Sequence, residues 1–119
     1  MTLSDIATAL VDGCKAGRET ANLDRLYAEH ATSVEPRDTG TGREATGLPA
    51  IHAKHAWFAE NATVHAAQVE GPFLHGDDRF AVIFRTDMTL FGQRSQSVEV
   101  AVYTVESGKI VREEFFYGG

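Results

Sequence analysis

The chain has 119 residues, 43% of them hydrophobic and 24% charged, with a formal net charge of −6. A domain of that length buries about two thirds of its unfolded surface in one core, without needing disulfides or a structural metal. Its composition excludes disorder, and its acidic balance excludes the basic face that nucleic acid or an anionic membrane would require.

The first predicted element is a helix. Thr2-Leu3-Ser4-Asp5 forms a capping box, and Leu3, Ile6, Ala7, Leu10 and Cys14 then recur at helical spacing until Gly17. Cys14 is the sole cysteine, so no internal disulfide forms, and its apolar position reads as a small buried thiol. Asn22 is expected to cap a second, shorter helix with Leu23, Leu26 and Tyr27 on one face. An extended segment follows at Thr32-Ser33-Val34-Glu35-Pro36, where the proline keeps Glu35 out of helical geometry.

Residues Arg37 to Gly47 are rich in Gly, Thr and charge without periodicity, and are read as a loop. Pro49 suits the first turn of a third helix, which carries Leu48, Ile51, His55 and Phe58 on one side and stops at Asn61. Beyond it the period falls to near 2. Turn signals at His75-Gly76-Asp77-Asp78, Phe91-Gly92-Gln93 and Glu106-Ser107-Gly108 divide this half into four strands, Thr63 to Phe73, Arg79 to Leu90, Gln96 to Val105 and Lys109 to Tyr117, in an antiparallel meander.

The third long strand is apolar on both faces, with Val98, Val100 and Val102 alternating against Glu99, Ala101, Tyr103 and Val105. A half-solvated strand would show one polar face. Helices are therefore expected over one side and a second copy over the other, giving a homodimer through Val98, Val100, Val102, Ile110 and Phe116. Val111, Glu113, Phe115 and Tyr117 of the last strand are assigned to the inner face.

The chain resembles the SnoaL-like branch of the nuclear transport factor 2-like superfamily over its whole length, as one domain of residues 1 to 119. The resemblance rests on Leu26-Tyr27-Ala28-Glu29-His30-Ala31-Thr32-Ser33-Val34-Glu35-Pro36, on Gly47-Leu48-Pro49-Ala50-Ile51, and on Gly108-Lys109-Ile110-Val111-Arg112-Glu113. It implies an α+β fold in which three N-terminal helices pack on a curved, mainly antiparallel sheet to form a cone. It also implies proton transfer on a small hydrophobic molecule without cofactor or metal. In ketosteroid isomerase, a relative, an aspartate before a proline is the base, and Glu35-Pro36 holds the comparable place. Its protonated acid corresponds to Ala101, however, and the Asp that polyketide cyclases of the group carry on the last strand corresponds to Phe115, so neither reaction is expected unchanged.

Four candidates for acid-base work follow. Glu35 is either a base facing an apolar cavity or a solvated acid paired with Arg37 or Arg43. Glu99 and Glu113 lie on neighbouring strands with one facing, and are expected to form a close pair sharing a proton unless one reaches the rim or an arginine. His55 is either a proton shuttle or a core histidine bonded to a neighbour. Tyr103, Tyr117, Phe115, Trp57 and Phe58 are candidate ligand contacts, the tyrosines as hydrogen-bond donors to a substrate oxygen or to backbone.

No HxxxH metal spacing occurs, and the absence of a basic-then-apolar leader or a bilayer-length apolar run gives a cytoplasmic expectation. The functional reading is a cofactor-independent isomerase, dehydratase or cyclase of a small hydrophobic carbonyl compound. The alternative is a module that binds such a molecule, or dimerises, without catalysis.

Overall fold

The computed structural model describes residues 1–38, 40 and 42–117. Thr39 and Thr41 of the expected loop, and Gly118 and Gly119, lie outside the described residues. Three helices, α1 (Leu3–Lys15), α2 (Glu19–Leu26) and α3 (Leu48–Asn61), pack on a six-stranded sheet. The strands are β1 (Tyr27–Val34), β2 (Glu44–Thr46), β3 (Ala62–His75), β4 (Arg79–Leu90), β5 (Gln93–Glu106) and β6 (Lys109–Tyr117), in the order β2-β1-β6-β5-β4-β3. The architecture is the open, mostly antiparallel α+β cone that the resemblance implied.

The capping box at Thr2 and Asp5 forms as expected, and α1 buries Ile6, Ala7, Leu10 and Val11. Asn22 does not cap α2. Arg18 occupies that place without a side-chain hydrogen bond, while Asn22 is buried inside the helix and donates to the Ala9 carbonyl at 3.2 Å. Gly13 makes room for it, since a Cβ there would come within 1.9 Å of the Asn22 amide nitrogen.

The meander of four strands is present, but the sheet has two more. The segment expected to begin at Thr32 starts at Tyr27 as β1, which runs parallel to β6 with Ser33 beside Glu113 and Val34 beside Glu114. A parallel neighbour so distant in sequence leaves no turn signal to read. β2 lies within the expected loop and pairs with β1.

Both short hairpins close with two residues at positive φ, Phe91 and Gly92 in one and Ser107 and Gly108 in the other, the backbone that matches strand twist. A register shift between Thr104 and Val105 places Ile110 opposite Val105. Ile110 was expected on the outer face. The shift turns it inward instead, and it is wholly buried in the core with Ile51, Phe80 and Tyr103.

Candidate functional site

The inner face of the sheet holds a run of polar groups between the core and the open end of the cone. On β6, Glu113 is 3% exposed and accepts a hydrogen bond from the Tyr27 hydroxyl of β1. Ser33, two strand positions before Glu35 and directly beside Glu113, hydrogen-bonds the same carboxyl. The Lys54 ammonium reaches across from α3, donates to Ser33 Oγ at 2.7 Å, and pairs with Glu35 Oε1 at 2.5 Å.

Burial orders these groups by depth. It raises the Glu113 pKa above the ordinary 4.5, although the Tyr27 and Ser33 hydrogen bonds and the Lys54 charge oppose the rise. Glu99 on β5 is half-buried, and its pKa is raised first by burial and then by the Glu35 carboxylate, with Lys54 acting against them. Lys54 and Glu35 keep 27% and 37% of their side-chain surfaces exposed, so this end of the cluster meets solvent.

The expected close pair of Glu99 and Glu113 does not form. Register places Glu99 opposite Tyr117 and Glu113 opposite Tyr103. The two acids are thus offset by four residues, about 13 Å along the strand, and Glu35 is the carboxylate whose charge acts on both. Glu35 is paired, as one of its two readings held, but its partner is Lys54 rather than Arg37 or Arg43.

The other candidates separate by position. The His55 ring meets Thr20 at 3.0 Å on the α2 side, a bond to a neighbour as one of its two readings had it, and burial lowers its pKa. Tyr103 is 2% exposed and stacks on Phe80 with ring centroids 4.7 Å apart, so it is core and offers no surface to a ligand. Phe115 is half-buried with the Lys54 ammonium 5.5 Å from its ring centre, and Arg37 lies 5.0 Å from the ring of exposed Tyr117. Cys14 packs against the core, where burial pushes its thiol up to about 12.

Trp57, Phe58 and Phe91 are exposed at the far end of α3 and the β4–β5 turn, with Trp57 and Phe91 edge to face at 5.9 Å. An open depression of about 580 Å³ lies there, lined by Met88, Leu90, Phe91, Gln93, Arg94 and Ser95. A second depression lies between α1 and α2 beside Asp12, Arg18 and Arg25. Neither is lined by the acids, and the approach to Lys54 and Glu99 is marked by their own partial exposure.

Tyr27, Ser33 and Lys54 escaped the sequence reading. Lys54 follows Ile51 by three residues and precedes Phe58 by four, which places it on the inward side of α3. That spacing was the available signal.

The SnoaL-like domain, as a sequence family, matches residues 1–117. The chain belongs to the SnoaL-like family. Within that family, a candidate SnoaL-like polyketide cyclase from Mesorhizobium loti shares 34% identity with this SnoaL-like protein, with 98% of this chain and 100% of that one covered and a TM-score of 0.93. A Catenulispora acidiphila protein with a ketosteroid isomerase-like fold, solved with trimethylamine, aligns at 18% identity and TM-score 0.72 over 99% and 88% of the two chains. A candidate isomerase from Bacillus subtilis aligns at 15% and 0.69 over 98% and 83%. At those identities the last two show the fold alone. A comparison with curated proteins finds no match.

Proposed function

We propose that this SnoaL-like protein is a cofactor-independent enzyme that moves a proton on a small hydrophobic carbonyl compound, in the manner of an isomerase, dehydratase or cyclase. The observation that carries this reading is Glu99, an inward, half-buried carboxylate held above its ordinary pKa beside a charged pair. A general base works best when its pKa approaches the operating pH and when it can still be reached. Glu113 has the raised pKa without the access, and Glu35 has access but spends its charge on Lys54.

Glu99 therefore takes the α-proton of the carbonyl compound. The C–H bond breaks, its electron pair forms the enolate, and Glu99 later returns the proton to the same or another carbon. Phe115 and Tyr117 supply ring surface beside this position. Deuterium exchange tests the step whatever follows it: 2-tetralone and cyclohexanone incubated with the protein in D2O lose their α-proton NMR signals faster than in buffer. Exchange at the buffer rate for a broad panel of ketones refutes the reading.

The exposed rim of Trp57, Phe58 and Phe91 favours a second reading, a module that holds a hydrophobic molecule unchanged. Saturable binding of a ketone without exchange supports it.

The partner reading concerns the opposite face. Val98, Val100 and Val102 pair with Arg85, Ile83 and Ala81, and Val100 also faces Phe116 of β6, which is 46% exposed. Apart from Arg85, which pairs with Glu70 beside Val98, these residues form an apolar patch on the side of the sheet away from the core, which a second copy of the chain covers in the proposed homodimer. Ile110, turned inward, has no part in it.

A further inference from the structure

An acid alone leaves the reaction half equipped. When an α-proton departs, negative charge builds on the carbonyl oxygen, and a donor aimed at that oxygen supplies much of the rate. Of the two tyrosines expected to do this, Tyr103 is sealed in the core, and Tyr117 is exposed at the strand end opposite Glu99 with Arg37 over its ring. Among the described residues, the cation that the inward carboxylates share is Lys54.

Its geometry suits the missing role. An ammonium has three N–H donors. Ser33 and Glu35 take two, at 2.7 and 2.5 Å, and the nitrogen stands 5.5 Å from the centre of the Phe115 ring with more than a quarter of the side chain open to solvent. The remaining hydrogen has no partner among the described residues. A planar carbonyl compound laid against Phe115 brings its oxygen to that hydrogen, and Glu35 and Ser33 fix the direction in which it points.

We propose that Lys54 is a catalytic residue that binds the carbonyl oxygen of the substrate and stabilises the oxyanion formed when the α-proton leaves, with Ser33 and Glu35 holding the ammonium in place. This rests on the proton-transfer reading above and names its electrophile. The balance is simple: Glu99 gains the proton, the carbonyl oxygen gains the charge, and Lys54 keeps its three protons, donating one in a hydrogen bond. The ligand class is then a neutral compound with a carbonyl oxygen that becomes an enolate.

A phenolate oxygen on an aromatic ring resembles such an enolate, and 4-nitrophenol changes colour when it ionises. Bound to the wild-type protein, it should ionise at lower pH than when free, reflecting at least a tenfold preference for the phenolate. Lys54→Met should abolish that preference, and Lys54→Arg should retain it within about threefold. Glu35→Gln, which removes the anion competing for the ammonium, should strengthen it, giving a change of opposite sign that lost folding cannot imitate.

An unchanged preference in Lys54→Met, ionisation displaced to higher pH in the wild type, or no spectral change up to millimolar 4-nitrophenol each overturns the proposal. The two inferences fail separately. An unchanged phenolate preference in Lys54→Met, with ketone exchange still dependent on Glu99, rejects Lys54 alone. Intact Lys54-dependent phenolate binding with no ketone exchange rejects the enzyme and leaves an oxyanion-binding site.

Discussion

Tyr27 and Glu113, 86 residues apart in sequence, meet inside the core, where the tyrosine hydroxyl donates to the carboxyl from the adjacent parallel strand. Burial holds the Glu113 pKa above 4.5 in the folded chain despite that bond. A carboxyl that keeps its proton more tightly when folded stabilises the fold most at low pH. Its contribution is complete below the unfolded value near 4.5 and is lost as pH rises through the folded pKa.

Glu113→Gln removes that titration while keeping the side chain's size and its contact with Tyr27. Urea unfolding from pH 4 to pH 8 should show the wild type losing stability relative to this variant as pH rises, with the variant ahead at pH 8 by on the order of 1 to 3 kcal/mol. Because Glu113 is sealed, ketone exchange should fall far less in this variant than in one lacking Glu99. Parallel pH profiles for the two proteins would show that Glu113 is not the buried acid described.

Phe91 adopts φ 52° at the first position of a two-residue turn, a backbone that a bulky side chain occupies only under strain. Such strain costs on the order of 1 to 3 kcal/mol, whereas an exposed aromatic pair with Trp57 returns about 0.5 to 1.5 kcal/mol. Phe91→Asn should therefore raise stability by about 0.5 to 1 kcal/mol. Trp57 is the single tryptophan, so its fluorescence should shift to the red in the same variant. Lower stability would mean that the ring contact outweighs the strain.

Val100 sits at the centre of the outer strip, opposite Ile83 on one side and Phe116 on the other. In the proposed homodimer, Val100→Glu should separate the two copies in sedimentation equilibrium without altering the circular dichroism spectrum. A monomeric wild type would remove the dimer reading.

The elements whose chemistry is local were legible in the sequence. The capping box, Pro49 at the start of α3 and the Gly-containing turns at 91–92 and 107–108 each dictate backbone within a few residues, and the period-2 runs gave the inner set of Tyr103, Glu113 and Phe115. Three features depended on partners far along the chain. Tyr27 shares a face with Leu23 and Leu26 in any helical reading, and only β6 makes it a strand residue. Ile110 changed sides through one register shift, as period-2 patterns always allow. Lys54 drew no reading from the sequence, because Ser33 and Glu35, which meet its ammonium, lie about twenty residues earlier in the chain. The acids themselves were named, but their division into sealed, paired and poised came from depth and register, which periodicity does not encode.

The central claim is that Glu99 is the base, and exchange of 2-tetralone α-protons in D2O tests it most directly when wild type and Glu99→Gln are compared across pH. The account requires wild-type exchange to rise as pH passes upward through the elevated Glu99 pKa, since the base must be ionised, and requires Glu99→Gln to slow it by about two to four orders of magnitude. Equal exchange rates in the two proteins at every pH would contradict it.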